Sequence, residues 1–158
     1  MAIALKSCPM CRGSLELKSI DKVSGSHDPL TITVLGMPAG ICAKGHASPV
    51  HRDFLIWLIH ELRGRRAQIP AAEEKGMLFK KAFCACGAEI PGGAGERRTF
   101  GYDLAFEGAP GFKVELEMPM HKCAKCGKEQ LRSAKAVGTA ATHAMVGVCD
   151  AAKFPHSG

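Results

Sequence analysis

The sequence predicts an α+β protein made of two similar halves, each a β-hairpin or small antiparallel sheet followed by a helix. Seven of the eight cysteines fall into two clusters, and these lie in stretches that read as copies of one another. Leu35 to Lys44 lines up at constant offset with Leu116 to Lys125, with Leu, Met, Pro, Cys, Ala and Lys coincident. Each half also holds two runs of alternating apolar and polar residues, and an apolar-periodic stretch follows each late cysteine cluster.

In the first half, Ser14 to Ile20 and Leu30 to Leu35 alternate as strands do, joined by the Gly/Ser/Asp/Pro-rich run from Ser24 to Pro29, which reads as the turn. Ser48 followed by Pro49 is a helix-start signal, and Val50 to Arg63 carries Phe54, Leu55, Trp57, Leu58, Ile59 and Leu62 at helical spacing. Trp57 reads as a core anchor. Ile69 to Gly76 reads as a linker with one helical turn, and Met77 to Phe83 as a strand feeding the next cysteine pair.

In the second half, Phe100, Tyr102, Leu104 and Phe106, then Phe112, Val114, Leu116 and Met118, predict a hairpin across Gly108 to Gly111. Ser133 is placed to cap a helix running to about Val148, with Gly138 and Gly147 weakening it. The implied division is a first unit with its helix at 1–68, a linker and connecting strand at 69–83, and a second unit with its helix at 84–158.

Units of about 75 residues bury little core alone, and seven Phe, one Tyr and one Trp add few large side chains. A staple is therefore expected. Met1 to Lys6 is too short and too quickly polar for a signal peptide, so a cytoplasmic protein with reduced thiols is predicted and the staple should be metal. The longest apolar stretch, Phe54 to Ile59, falls short of a membrane span.

The early pair of the first half is Cys8 and Cys11, a CxxC knuckle. Cys42 supplies a third thiolate, and His46 is the natural fourth ligand, with His51 the alternative. In the second half, Cys84, Cys86, Cys123 and Cys126 form an all-cysteine set. Two structural Zn2+ ions are expected, because three thiolates and an imidazole suit zinc; four thiolates alone would also suit iron or a cluster. The alternating strands leading into the knuckles are the geometry of a zinc ribbon.

Cys8, Cys11, Val34, Pro38, Ala39 and Cys42, with Pro119, Cys123, Cys126 and Gly127 in the second half, resemble the YgiT-type zinc finger found at the N-terminus of MqsA-type antitoxins. The chain departs from that pattern at Gly45 and His46, where the family has Cys-Gly, and in the CxC spacing of Cys84 and Cys86. No helix-turn-helix region follows. The resemblance implies zinc and two diverged ribbon-like copies, and carries toxin neutralisation or promoter binding only as an extension.

No P-loop, GxSxG or HExxH pattern is present, so no enzyme and no small-molecule substrate is read. The expected role is an adaptor or regulator that binds a protein or nucleic-acid partner without a membrane. The net charge of +6 permits nucleic acid without demanding it. Lys122, Lys125, Lys128, Arg132 and Lys135 around the last knuckle are the candidate contact residues, although lysines there also offset thiolate charge. Phe100, Tyr102 and Phe106 fill an interface unless exposed for base stacking. The alternative is a thiol-redox or metal-handling protein using Cys84 and Cys86. Cys149, near His143 and His156, reads as a buried helix cysteine, with a third metal or a redox thiol as alternatives.

Overall fold

The computed structural model describes residue 5 and residues 7–155. Strands β1 (Leu15–His27) and β2 (Leu30–Cys42) form a long antiparallel hairpin. The run expected to be the turn is mostly strand, and only Asp28 and Pro29 lie between the two. Its small polar residues fit the pleat because Ser24 and Ser26 pair side chain to side chain with Thr33 and Thr31, both at 2.9 Å. Gly25 fits for another reason. It lies directly under the second helix, where a Cβ would collide with the Ala144 carbonyl.

Past the first late knuckle, β3 (Ala47–Pro49) returns to pair with the end of β2. Helix α1 then spans Phe54–Ala67, not Val50 to Arg63. Ser48 and Pro49 do not open it, because they are held by the sheet opposite Gly40 and Ala39, an edge where proline is tolerated. Asp53 occupies the N-cap position instead.

β4 (Glu73–Lys75), β5 (Lys81–Phe83) and β6 (Glu89–Ile90) make a separate three-stranded sheet. The linker thus contains a strand where a helical turn was expected, and the strand expected from Met77 begins only at Lys81. Gly76, at φ 117°, turns the chain so tightly that a Cβ would meet the Phe79 carbonyl, which keeps Met77, Leu78 and Phe79 out of the ladder.

β7 (Glu96–Leu104) and β8 (Phe112–Lys122) form the second hairpin. Phe106 lies beyond β7, in the connection. β9 (Glu129–Gln130) returns to pair with the end of β8, as β3 does with β2. Ser133 caps α2 (Ala134–Ala151) as expected, its hydroxyl accepting from the Ala136 N–H at 3.0 Å.

β2 and β8 pair antiparallel around Val34 opposite Val114, so the two hairpins share one sheet in the order β1-β2-β8-β7. One core then serves both sequence halves: Ile32, Val34, Leu116 and Met118 from the sheet, Phe54, Leu58 and Leu62 from α1, and Val137, Ala144 and Val148 from α2. Trp57 is half-buried, with its ring 5.2 Å from Phe106 and 6.0 Å from Phe112. Phe100 and Tyr102 also pack against this core, and Arg65 lies over the Tyr102 ring. Gly147 permits the close crossing of α2 over β1, because a Cβ there would stand 2.9 Å from the Gly25 Cα. A second, smaller cluster of Ala72, Ala82, Cys84, Ile90 and Cys123 lies under the small sheet.

No helix among the described residues is long and apolar enough to cross a membrane.

Candidate metal centres

Each cluster is assembled from two knuckles, tight turns that close on the N–H of their first cysteine. The Cys8 and Cys123 N–H groups donate to the carbonyls of Gly13 (2.8 Å) and Lys128 (2.9 Å), five residues on. The Cys84 and Cys42 N–H groups donate to Ala88 (2.8 Å) and His46 (3.1 Å), four residues on. Two knuckles are thus one residue shorter than the others. One residue in each adopts a left-handed backbone: Arg12 at φ 60°, Gly45 at 85°, Gly87 at 94° and Gly127 at 79°.

This conformation corrects the residue-by-residue alignment of the late knuckles. Gly45 corresponds to Gly127, not to Cys126, and its turn is one residue shorter ahead of that glycine. In three knuckles the second cysteine immediately precedes the left-handed residue, as Cys11, Cys86 and Cys126 do. In the fourth, Lys44 takes that place, and the ligand shifts to His46 just beyond the glycine, from where the longer imidazole reaches back.

Cys8, Cys11, Cys42 and His46 bring their ligand atoms together, as do Cys84, Cys86, Cys123 and Cys126; within each set all lie within 4.8 Å of one another. The His46 Nδ1 is 3.4 Å from the Cys42 Sγ and 3.6 Å from the Cys8 Sγ, and the Cys11 and Cys42 sulfurs are 3.7 Å apart. In the other set, Cys84 to Cys126 is 3.5 Å and Cys86 to Cys123 is 3.6 Å. A tetrahedral ion with metal–sulfur bonds of about 2.3 Å has sulfur–sulfur edges of about 3.8 Å and sulfur–nitrogen edges of roughly 3.6 Å. A disulfide would need about 2.05 Å. Each set can therefore hold one metal ion with four protein ligands.

His51 stands apart from the first set. Its Nδ1 accepts from the Asp53 N–H at 3.1 Å and lies 3.7 Å from the Asp53 carboxylate.

Electrostatics divide the thiols. Burial opposes ionisation of Cys42, but the N–H groups of His46 and Lys44 outweigh it and bring the thiol down to about 6. The Cys86 N–H and the Gln130 side chain bring Cys84 down to about 6. The Cys126 N–H also lowers Cys123 against its burial. At Cys126 the Lys128 N–H favours the thiolate, but hydrogen bonding with Cys84, together with burial, overrides it and pushes the thiol up to about 11. Cys11 is raised in the same way, the Gly13 N–H being outweighed by burial and by Cys8 and Cys42.

Gln130 is the residue that sequence reasoning missed. It is buried to 1 % exposure, and its amide also donates to the Lys128 carbonyl at 3.4 Å. Its one sequence signal is its place four residues past Cys126, in the return strand.

Of the candidate contact residues, Lys122, Lys125, Lys128 and Lys135 are exposed, and Arg132 is half-buried. Arg98 on β7 holds Glu129 at 2.8 Å, which removes the one acid among the knuckle lysines from play. Cys149 is half-buried against the main core, and burial pushes its thiol up. It joins no metal-capable group among the described residues. The His143 ring stacks on His27 at 4.4 Å, and His156 lies outside the described residues.

Comparison with protein-family models, with curated proteins and with solved structures gives no match to this chain.

Proposed function

We propose that the chain is a non-enzymatic zinc protein, two diverged zinc-ribbon units of YgiT type in tandem, acting as an adaptor or regulator that docks a protein or nucleic-acid partner. The observation that carries this reading is the closure of both clusters. Four protein donors at tetrahedral spacing leave no coordination position for a substrate, as in structural sites. Zinc is the economical choice for both sites, because it suits a three-thiolate, one-imidazole set as well as a four-thiolate set. The duplication draws support from the order of parts, because in each half a hairpin leads to a late knuckle, a short return strand and a helix. The exposed lysines 122, 125 and 128 on and beside a rigid knuckle are suited to phosphates or to an acidic protein face.

Elemental mass spectrometry on protein purified without added metal tests the reading. Two zinc ions per chain, falling to one in Cys126→Ser and one in His46→Ala, are expected; iron, copper or no metal overturns it. For nucleic acid, Lys125→Glu with Lys128→Glu should abolish a salt-dependent mobility shift, and a salt-insensitive interaction would exclude phosphate contact.

A second reading, thiol-redox or metal-handling chemistry at Cys84 and Cys86, is favoured by the exposure of Cys86 and the low thiol pKa of Cys84. It predicts that both react with a thiol reagent in the metal-loaded protein, whereas structural ligands stay protected until a chelator is added.

A further inference from the structure

Met77, Leu78 and Phe79 are 98 %, 91 % and 83 % exposed, at the tip of the β4–β5 hairpin. Single exposed apolar side chains are ordinary, but three consecutive ones in a turn do nothing for folding and cost solubility. The tip closes tightly at Gly76 and leaves all three side chains facing outward.

The charges directly beneath it are of one sign. Lys75 faces Lys81 across the ladder, and Lys80 adjoins the tip; all three are exposed. Like charges directly opposite destabilise a strand pair. The acids of the hairpin stand further back: Glu73 is opposite Phe83, and Glu74 is opposite Ala82. Lys75 is partly occupied by Glu73 at 3.9 Å and by the Phe83 ring, while Lys80 and Lys81 flank the tip directly. An apolar point with a cationic collar is complementary to an anionic lipid surface, where acyl chains receive the point and headgroups receive the lysines.

We propose that the β4–β5 tip is a reversible membrane-contact element, inserting Met77, Leu78 and Phe79 into the interface of an anionic bilayer. β5 runs from this tip straight into Cys84, so the second metal centre braces the element that inserts. The proposal goes beyond the adaptor reading, replaces the expectation that no membrane is involved, and does not depend on which partner the knuckle lysines contact.

The test is co-sedimentation of the full, metal-loaded chain with phosphatidylcholine vesicles, with and without phosphatidylserine. Binding is expected only with phosphatidylserine. It should weaken at least about tenfold in Met77→Ser/Leu78→Ser/Phe79→Ser and, separately, in Lys75→Glu/Lys80→Glu/Lys81→Glu. Metal content, measured on the same samples, should be unchanged, which separates lost contact from lost fold. Absence of binding to phosphatidylserine vesicles overturns the proposal. So does binding that survives the triple serine change, which would mark general surface charge. A dimer in vesicle-free solution that dissociates in the triple serine variant also overturns it, because a second copy would then be the occupant.

Discussion

Arg12 holds a left-handed backbone at the position that Gly45, Gly87 and Gly127 fill in the other knuckles. For a residue with a Cβ this conformation costs about 1–2 kcal/mol, part of which glycine returns through its freer unfolded chain. Arg12→Gly should therefore raise stability by roughly 0.5–1 kcal/mol, read as a higher chemical-denaturation midpoint at constant metal content. Gly45→Ala and Gly87→Ala should each cost about 1 kcal/mol by backbone strain alone, because no atom lies within 4 Å of either new Cβ. The thiols give a second prediction at this scale. Cys42 and Cys84, lowered to about 6, are already thiolates at neutral pH, whereas Cys11 is raised and Cys126 stands at about 11. Metal uptake at neutral pH should thus release protons from Cys11 and Cys126 and few from Cys42 and Cys84. Apparent affinity should fall as pH drops, and fall more steeply below about 6, where Cys42 and Cys84 must also be deprotonated. Competition against a chromophoric chelator across that pH range, with proton release followed by indicator dye, checks both parts.

At the scale of elements, the crossing of α2 over β1 rests on two glycines meeting backbone to backbone. Gly25→Ala would drive a methyl into the Ala144 carbonyl, and neither backbone can yield without lifting the helix from the sheet. A loss of about 3 kcal/mol is expected from denaturant unfolding, larger than for Gly147→Ala. The same crossing explains which elements sequence could reveal. Ser133 at the start of α2 and the alternation from Phe112 to Met118 are local signals, and both elements start where they were read, though α2 runs on to Ala151 and β8 to Lys122. The run from Ser24 to Pro29 has turn composition, yet most of it is strand, because Gly25 is required by a helix more than a hundred residues away in sequence. Ser48 and Pro49 carry a local helix signal that the pairing with β2 overrides. Cysteine and histidine identities made the metal sets legible, whereas Gln130 was not, because its role depends on β9 folding back over the last knuckle.

For the whole molecule, the decisive contact is β2 against β8, which makes one core out of two sequence halves. Loss of either metal should then be felt throughout. Cys126→Ser and His46→Ala are each expected to unfold in a single transition at lowered Tm, with near-ultraviolet circular dichroism and Trp57 fluorescence changing together. Two separated transitions would show halves that fold independently. The antiparallel sense of that contact has another consequence. Because β2 and β8 run in opposite directions past Val34 and Val114, the knuckles that follow them point away from each other, and the two candidate metal centres stand at opposite ends of the sheet, up to roughly 50 Å apart by strand length. No ligand of small size can bridge that distance, so each pole is free to drift in sequence without regard to the other. The histidine at one pole and the lysine-rich knuckle at the other are what such independence permits: two surfaces of different chemistry held apart by one shared sheet.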